Sequence, residues 1–232
     1  MKAVILAAGL GTRLRPLTND IPKSMISIAG KPLLERIILD LKKYGINDFV
    51  IVVNYLKEKI IDYFSDGSKF GVKINYVIQE NPRGGTAAAV LAAKNFIKDK
   101  SFFVVAGDEL KDFSIAETMA KENDNLITAF KVENPEEYGV LEVDGKNVLR
   151  IKEKEANPVS NIINISFYKF PIEIFDAINK IKPSSRGELE ITDAINKLIE
   201  EGHAFRFIES KNYFDISSLE GLEEARKFFS KN

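Results

Sequence analysis

Short apolar runs alternate along this chain with longer segments of helical periodicity, and this alternation limits the folds that the chain can adopt. The first half predicts buried strands over residues 2–6, 48–53, 73–79 and 102–106. Helices are predicted over residues 32–44, 56–64 and 86–96, with Pro32 in a first helical turn and Gly45 just after a last one. This order is typical of βα units around a largely parallel sheet, whose ligands usually bind where the strands end.

The second half predicts a different pattern, in which several strands follow one another directly. Strands are predicted over residues 126–132, 139–143, 148–154, 162–170 and 204–208, and helices over residues 172–178, 189–200 and 219–229. Asp144-Gly145 is a hairpin turn signal between two of these strands. We therefore expect antiparallel strands joined to a parallel core within one domain, residues 1–232.

The charge balance and the lack of cysteine exclude several classes of function. The chain has 33 Lys and Arg residues against 34 Asp and Glu residues, which predicts no long-range attraction to nucleic acid or to an anionic membrane. With no cysteine and one histidine, His203, thiolate catalysis and a multi-histidine metal site are excluded. Oxygen ligands remain, and these suit Mg2+ or Mn2+. No apolar run approaches the roughly 18 residues of a membrane span, so we expect a soluble cytoplasmic protein.

A glycine-rich loop follows the first predicted strand and ends in a fixed positive charge. Gly9 and Gly11 allow backbone N–H groups to approach phosphate oxygens, and Arg13 can add bidentate hydrogen bonds. The loop lacks both the Gly-Lys-Ser/Thr ending of a Walker motif and the third glycine of the dinucleotide fingerprint. Taken alone, the glycines are more typical of a tight turn between a strand and a helix.

Three segments together resemble the opening of the sugar-1-phosphate nucleotidylyltransferase family. They are Leu-Ala-Ala-Gly-Leu-Gly-Thr-Arg-Leu-Arg-Pro from Leu6, Pro-Lys-Ser-Met from Pro22 and Gly-Lys-Pro-Leu-Leu-Glu from Gly30. The resemblance implies that the first segment holds a nucleoside triphosphate, through Leu6, Ala8, Gly9, Gly11, Thr12 and Arg13. It also implies that Lys23 neutralises charge around the α-phosphate, whereas a lysine taken alone is an ordinary exposed side chain.

The resemblance extends from Lys2 to Ala225 and implies both a fold and a reaction. The implied fold is a Rossmann-like three-layer α/β/α sandwich with a mixed, mainly parallel sheet, the nucleotide-diphospho-sugar transferase fold. Residues 1–125 would form the nucleotide-binding half and residues 126–232 the sugar-phosphate-binding half. In the implied reaction, a sugar 1-phosphate oxygen attacks the α-phosphorus of the NTP, and pyrophosphate leaves. Many relatives add a C-terminal left-handed β-helix, which we do not expect here, and we expect a monomer or a small homo-oligomer.

The segment after the predicted strand 73–79 resembles the base-recognition segment of this family. The carboxamide of Gln79 offers the donor and the acceptor that match N3–H and a carbonyl of uracil or thymine. The resemblance implies nucleotide contacts by Gln79, Gly84, Gly85 and Thr86 and favours UTP or dTTP. Because Thr86 comes one residue later than is common, either glycine could contact the base. Taken alone, the segment is equally typical of a Pro-Gly turn that begins a helix.

Two carboxylates are the expected ligands of a divalent cation. Asp108 ends an apolar strand with Gly-Asp, and Asp215 lies in a Tyr-Phe-Asp-Ile-Ser segment that resembles the family's Trp-x-Asp-Ile-Gly. The resemblance implies that both bind Mg2+, with phosphate oxygens and waters completing the octahedron, and Mn2+ is an alternative. Arg13, Lys23 and Asp108 are the expected catalytic residues. Taken alone, an acidic residue after a strand is more often a turn or cap residue.

The second half resembles the family segments that bind the sugar phosphate. The resemblance implies that the Gly139 backbone and the Glu153 and Asn164 side chains contact sugar hydroxyls, while Lys154 contacts the phosphate. Ser166 stands where the family commonly has glycine, so the sugar pocket would differ in shape. Taken alone, Glu153 and Lys154 are a generic exposed charge pair, and Asn164 is a generic strand-end polar residue.

Two alternatives from other classes stay open at this point. A catalytically silent regulatory homologue would share the fold without the reaction, although it predicts loss of Arg13, Lys23 or Asp108, and all three are present. A cytidylyltransferase would use CTP and a non-sugar phosphate such as phosphocholine. In each case the expected partners are small molecules, with no nucleic acid and no membrane.

Overall fold

The computed structural model describes residues 1–231, and its strands and helices follow the alternation of the sequence. The strands are β1 (Ala3–Ala7), β2 (Ser27–Ile28), β3 (Lys31–Pro32), β4 (Asp48–Val53), β5 (Lys73–Ile78), β6 (Ser101–Ala106), β7 (Glu109–Lys111), β8 (Asn125–Lys131), β9 (Gly139–Asp144), β10 (Asn147–Glu153), β11 (Ile162–Pro171), β12 (Phe205–Glu209) and β13 (Tyr213–Asp215). The helices are α1 (Leu33–Lys43), α2 (Lys57–Phe64), α3 (Thr86–Ala92), α4 (Ile115–Lys121), α5 (Ile174–Ile178), α6 (Ile191–Glu200) and α7 (Leu219–Ser230).

A single nine-stranded sheet in the order β5-β4-β1-β6-β11-β8-β12-β10-β9 joins the two halves of the chain. Strands β5, β4, β1 and β6 pair in parallel, as βα units require. Among the nine, only β10 and β11 run opposite to the others, and the predicted Asp144-Gly145 turn joins β9 to β10. The sheet is therefore mixed but mainly parallel in strand direction, which confirms the expected fold class.

The two faces of the sheet bury separate apolar clusters, because successive side chains of a strand point to opposite faces. On β1, Ala3 and Ile5 join the cluster that contains residues of α1, α2, α4 and α7. Val4, between them, joins the cluster that contains residues of α3, α5 and α6. Burial on both faces explains why the central strands have continuous apolar sequences, and the result is the predicted three-layer arrangement.

Three local details differ from the sequence expectations. Pro32 does not lie in the first turn of α1: its backbone is extended (ψ 143°) and it pairs with Ser27 in the β2–β3 hairpin. The predicted helix 86–96 ends at Ala92 and is followed by a separate 3-10 turn over Lys94–Phe96. The strands β7 and β13 were not predicted, because three residues are too few to show a periodicity, and the seven-residue helix α4 was not predicted either. No helix within residues 1–231 is both long enough and apolar enough to cross a membrane.

A buried threonine ties β8 to β11 where their pairing is irregular. The register of the two strands shifts between Asn164 and Tyr168, and Thr128 Oγ1 donates a 2.7 Å hydrogen bond to the Phe167 carbonyl there. Thr128 and Phe167 are both fully buried. The nearly isosteric Thr128→Val removes this bond, so we expect the free energy of unfolding to fall by about 1–2 kcal/mol in a denaturant titration. Thr118→Val, at an exposed position of α4, should change it by less than about 0.5 kcal/mol; equal losses would contradict the assignment.

Candidate active site

Two adjoining cavities open at the edge of the sheet where β1, β5 and β6 end. One cavity has a volume of about 400 Å³ and the other about 300 Å³. Both are lined by Gly9, Pro82, Asp108 and Glu188, so the cavities form a continuous site. Gln79, directly after β5, and Ala106, at the end of β6, also line the smaller cavity. This is the position at which open α/β sheets generally bind ligands.

The glycine-rich loop forms one wall of the larger cavity. Gly9, Gly11, Thr12 and Arg13 all line it, together with Lys23. Gly11 has a φ of 63°, and the Thr18 side chain fixes the loop by donating a 2.7 Å hydrogen bond to the Gly11 carbonyl. A left-handed backbone and an adjacent guanidinium are well suited to phosphate oxygens. Leu6 and Ala8, the remaining predicted contacts of this segment, line the smaller cavity.

An ion pair between Lys23 and Asp108 lies at the junction of the cavities. Lys23 Nζ is 2.7 Å from Asp108 Oδ2, although the two residues are far apart in the sequence. The lysine side chain is only 9% exposed, whereas the aspartate side chain is 42% exposed. Partial desolvation acts to raise the pKa of Asp108, but the charges of Lys23, Lys111 and Arg13 overcome it and hold this pKa below its ordinary value. Asp108 is therefore ionised at neutral pH and available to a cation.

Asp215 is brought beside Asp108 by the pairing of two short strands. In the antiparallel pair β7–β13, Asp215 lies opposite Glu109, and the Ile216 N–H donates to the Asp108 carbonyl at 3.1 Å. Ser217 holds both oxygens of Asp215, through its backbone N–H at 2.8 Å and its hydroxyl at 2.6 Å. Within residues 1–231, no group of three or more acidic or histidine side chains is placed to hold a metal ion. A cation here would need substrate oxygens to complete its coordination.

The predicted base-recognition residues meet at the far end of the smaller cavity. Gln79 is buried, and its Nε2 lies 3.3 Å from the Gly85 carbonyl. Gln79, Gly85 and Thr86 line this cavity. Gly84 instead accepts a 2.9 Å hydrogen bond from the Leu189 N–H, and the Ala87 N–H donates back to Leu189 at 2.9 Å. Residues of the second half thus support the turn that carries the predicted base contacts.

The four predicted sugar-phosphate residues lie together but do not line either cavity directly. Gly139 and Glu153 are opposite each other in the β9–β10 pair, and Lys154 follows with a left-handed φ of 49°. Burial raises the pKa of Glu153 above its ordinary value. Asn164 Nδ2 donates a 2.7 Å hydrogen bond to the hydroxyl of Tyr168, which lines the smaller cavity. The structure therefore connects Asn164 to the cavity through Tyr168.

A comparison of the sequence with protein families decides the membership of this chain. The sequence model of the nucleotidyl transferase family, described as "Nucleotidyl transferase", matches residues 2–232. This chain belongs to the nucleotidyl transferase family. Three similar curated proteins are the "Bifunctional protein GlmU" of Methanococcus aeolicus, the "Low-salt glycan biosynthesis nucleotidyltransferase Agl11" of Haloferax volcanii and the "Glucose-1-phosphate thymidylyltransferase" of Streptomyces griseus, and the last two names agree with this family.

These curated relatives are longer proteins than this nucleotidyl transferase chain. The M. aeolicus protein is 41% identical over 100% of this chain, which covers 55% of that protein. The H. volcanii protein is 40% identical over 88% of this chain, which covers 58% of that protein. The S. griseus protein is 36% identical over 98% of this chain, which covers 65% of that protein. The chain thus spans about half to two thirds of the length of the curated relatives it matches.

Solved structures of nucleotidyl transferases match the whole fold. A UDP-glucose pyrophosphorylase complexed with UDP-glucose is 26% identical, has a TM-score of 0.87 and matches 99% of this chain and 98% of its own. A Bacillus anthracis protein described as a glucose-1-phosphate thymidylyltransferase, in complex with sucrose, is 26% identical, has a TM-score of 0.89 and matches 100% and 96% of the two chains. The nucleotidyl transferase fold therefore includes both halves of this chain.

Several residues that line the cavities of this nucleotidyl transferase were not predicted from the sequence. Glu109 and Glu188 bring carboxylates to the smaller cavity, and Tyr168 forms part of its wall on β11 beside Ser166, the residue expected to alter the shape of the sugar pocket. Alternation along β11 could have identified Tyr168, because it shares a face with Asn164. Glu188 has no such periodic signal, since it lies in an irregular segment between α5 and α6.

Proposed function

We propose that this nucleotidyl transferase joins the nucleoside monophosphate of an NTP to a sugar 1-phosphate and releases pyrophosphate. The Lys23–Asp108 pair, at 2.7 Å beside the glycine-rich loop and at the junction of two cavities, is the observation that carries the proposal. One cavity would take the triphosphate and the other the nucleoside and the sugar phosphate. The similarity to the S. griseus glucose-1-phosphate thymidylyltransferase and to the UDP-glucose pyrophosphorylase supports this class of reaction.

The reaction needs charge neutralisation more than acid or base catalysis. A phosphate oxygen of the sugar 1-phosphate forms a new bond to the α-phosphorus of the NTP. The bond from that phosphorus to the bridging oxygen breaks, and pyrophosphate leaves with the electron pair. The attacking oxygen is already anionic, so no general base is required. Arg13, Lys23 and Lys154 would hold the two polyanions together and stabilise the charge that develops between them.

The acidic residues beside Lys23 fit a magnesium ion. Asp108 is ionised and lines the triphosphate cavity, and the β7–β13 pair brings Asp215, which is held by Ser217 behind the cavity wall, next to it. Hard oxygen ligands of this kind, supplemented by substrate phosphates, are what Mg2+ prefers. We therefore propose Asp108 and Asp215 as its ligands, with Mn2+ as a substitute. When bound, the ion would supply positive charge to the phosphate oxygens of the NTP.

The base pocket favours uracil or thymine in this proposal. Gln79 offers a buried carboxamide, which can donate to a carbonyl of the base and accept from its N3–H. Gly85 and Thr86 lie beside it in the same cavity. We propose UTP or dTTP as the nucleotide and a glucose-1-phosphate-like compound as the second substrate.

The variant Gln79→Glu tests this choice of base. A carboxylate cannot donate to the base carbonyl and places a charge in a buried position, so kcat/KM for UTP or dTTP should fall about tenfold to a hundredfold. Steady-state kinetics with UTP, dTTP, CTP and GTP measures the change. The matched control is Glu80→Gln, the reverse exchange at the exposed neighbour, which should leave kcat/KM unchanged. An equal loss for every NTP would contradict a role in base recognition.

Pyrophosphate release tests the proposed reaction itself. The wild-type protein is incubated with Mg2+, with each of UTP, dTTP, CTP, GTP and ATP, and with either phosphocholine or one of a panel of sugar 1-phosphates. Release that depends on the sugar phosphate supports the proposal and identifies both substrates. Release only with CTP and phosphocholine would instead support the cytidylyltransferase alternative. If the folded protein released no pyrophosphate with any pair of substrates, this result would support the regulatory alternative.

A further inference from the structure

An ion pair on β7 is exposed to the smaller cavity at one end only. Lys111 Nζ lies 2.6 Å from Glu109 Oε2, and the lysine side chain is completely buried. The glutamate side chain is 14% exposed and lines the cavity. Lys111 uses one carboxylate oxygen, so Oε1 is the oxygen available to a ligand. The pair therefore presents an anchored acceptor to the cavity rather than a mobile surface charge.

The strand geometry explains why this carboxylate is held in place. Glu109 and Lys111 are two residues apart on β7 and share a face, while Leu110 between them points into the apolar core and is fully buried. The opposite strand, β13, fixes the backbone through the Glu109–Asp215 and Leu110–Phe214 pairings. A buried ion pair is costly to desolvate and adds little stability by itself. Its position at a cavity wall is better explained by a ligand that the exposed oxygen contacts.

The chemistry of the cavity limits the group that Glu109 can contact. A carboxylate accepts hydrogen bonds, and it repels phosphate, whose place is at Arg13 and Lys23 in the adjoining cavity. The predicted base contact, Gln79, is another member of the same wall and supplies the amide that a base edge needs. Strand β11 contributes two polar side chains to the cavity wall, Ser166 and Tyr168, and each carries a hydroxyl group. The proposed cation is assigned to Asp108 and Asp215. What remains for Glu109 is a neutral donor, and a substrate of the proposed reaction offers hydroxyls.

We propose that Glu109 Oε1 accepts a hydrogen bond from a sugar hydroxyl of a bound substrate, and that Glu109 is thereby a specificity-determining residue. This inference rests on the proposed function. The hydroxyl belongs either to the ribose of the nucleotide or to the hexose of the sugar 1-phosphate, and both are the same kind of donor. Lys111 is a positioning residue, because it orients the carboxylate without reaching the cavity.

The test compares substrates that lack one hydroxyl with their parents. For wild-type protein, kcat/KM is measured with the active NTP, with its 3′-deoxy form and, if that NTP is a ribonucleotide, with its 2′-deoxy form. The same measurement is made with the active sugar 1-phosphate and its monodeoxy forms. Loss of the hydroxyl that bonds Glu109 should lower kcat/KM about tenfold to a hundredfold, which is typical of a hydrogen bond to a charged group. The nucleotide series and the sugar series separate the two sources of the hydroxyl.

Two double variants keep the comparison free of a buried unpaired charge. Glu109→Gln with Lys111→Met retains an acceptor oxygen, whereas Glu109→Met with Lys111→Met has none. In the variant with methionine at both positions (Met/Met), we expect kcat/KM for one deoxy compound to come within about threefold of kcat/KM for its parent. The variant with Glu109→Gln and Lys111→Met (Gln/Met) should keep part of the wild-type difference between these two values. Discrimination against the other deoxy compounds should be unchanged in both.

Each other outcome overturns the inference. Wild-type protein that uses all the deoxy compounds as well as their parents excludes a hydroxyl contact of this strength, whether or not the variants fold. Folded Met/Met protein with wild-type discrimination shows that the ion pair is only structural. Wild-type protein without sugar-dependent pyrophosphate release overturns the proposed function, and this inference with it.

Discussion

Replacing Asp108 by asparagine should lower kcat for sugar-dependent pyrophosphate release by about a hundredfold to a thousandfold. The amide keeps the size of the side chain but removes the negative charge beside Lys23 Nζ, which lies 2.7 Å from Asp108 Oδ2. It also removes one of the two carboxylates proposed to hold Mg2+. Both losses affect the charge balance around the α-phosphate, where the transition state differs most from the bound substrates.

The control for this variant is the same exchange at a distant surface position. Asp40 lies on α1, outside both cavities, and pairs with Lys43 at 2.9 Å. Asp40→Asn should leave kcat unchanged, because exposed ion pairs contribute little. A matching far-ultraviolet circular dichroism spectrum would show that Asp108→Asn is folded. If folded Asp108→Asn retained more than a tenth of the wild-type kcat, Asp108 would not be a catalytic residue.

Replacing Gly85 by alanine should damage both stability and nucleotide use. Gly85 has a φ of 89° and a ψ of 176°, a backbone conformation that is open essentially to glycine alone. A Cβ atom there would lie 2.7 Å from Leu189 N and closer still to Leu189 O. These are backbone atoms that cannot rotate away, so the free energy of unfolding should fall by about 3 kcal/mol or more. KM for the NTP should rise at least about tenfold, because Gly85 lines the smaller cavity, which is proposed to hold the base.

Gly187→Ala separates the two causes of this loss. Gly187 has a φ of 78°, so alanine is strained there as well, but a Cβ atom would meet nothing within 4 Å. This variant should lose only about 1 kcal/mol in a denaturant titration and should keep its KM for the NTP. Equal losses in the two variants would mean that the backbone conformation, and not the overlap with Leu189, decides the effect.

The large elements of the fold were predictable because they are apolar on a regular pattern. The central strands are buried on both faces, which requires continuous apolar runs such as Phe102–Ala106 within β6. The buried face of α1 repeats Leu34, Ile37, Ile38 and Leu41 at helical spacing. By contrast, β7 and β13 contain three residues each and depend on each other, so neither has a signal of its own.

The parts of the candidate site also differed in how far the sequence alone could predict them. The glycine-rich loop and Lys23 lie close together in the sequence, and the structure places them together in one cavity. The proximity of Asp108 and Asp215 was expected only from the family resemblance, because it depends on a strand pair that the sequence does not reveal. Glu109 was missed for a related reason: only the pairing of β7 shows that its side chain reaches the cavity instead of solvent. The roles assigned to the catalytic, nucleotide-binding, metal-binding and sugar-phosphate residues all remain predictions.

The smaller cavity, which is proposed to hold the base, is lined by residues from both halves of the sequence, and this has a consequence for protein engineering. Gln79 and Thr86 come from the first half, whereas Glu188 and Ile191 come from the second, and the Ile191 N–H donates to Thr86 Oγ1 at 3.0 Å. A chimera that exchanged the second half with that of a relative would therefore replace Glu188 and Ile191 in the wall of the smaller cavity, together with the residues proposed to bind the sugar phosphate. Recombination between such enzymes should preserve nucleotide choice only when the crossover transfers residues 188–191 together with the turn at Gly85.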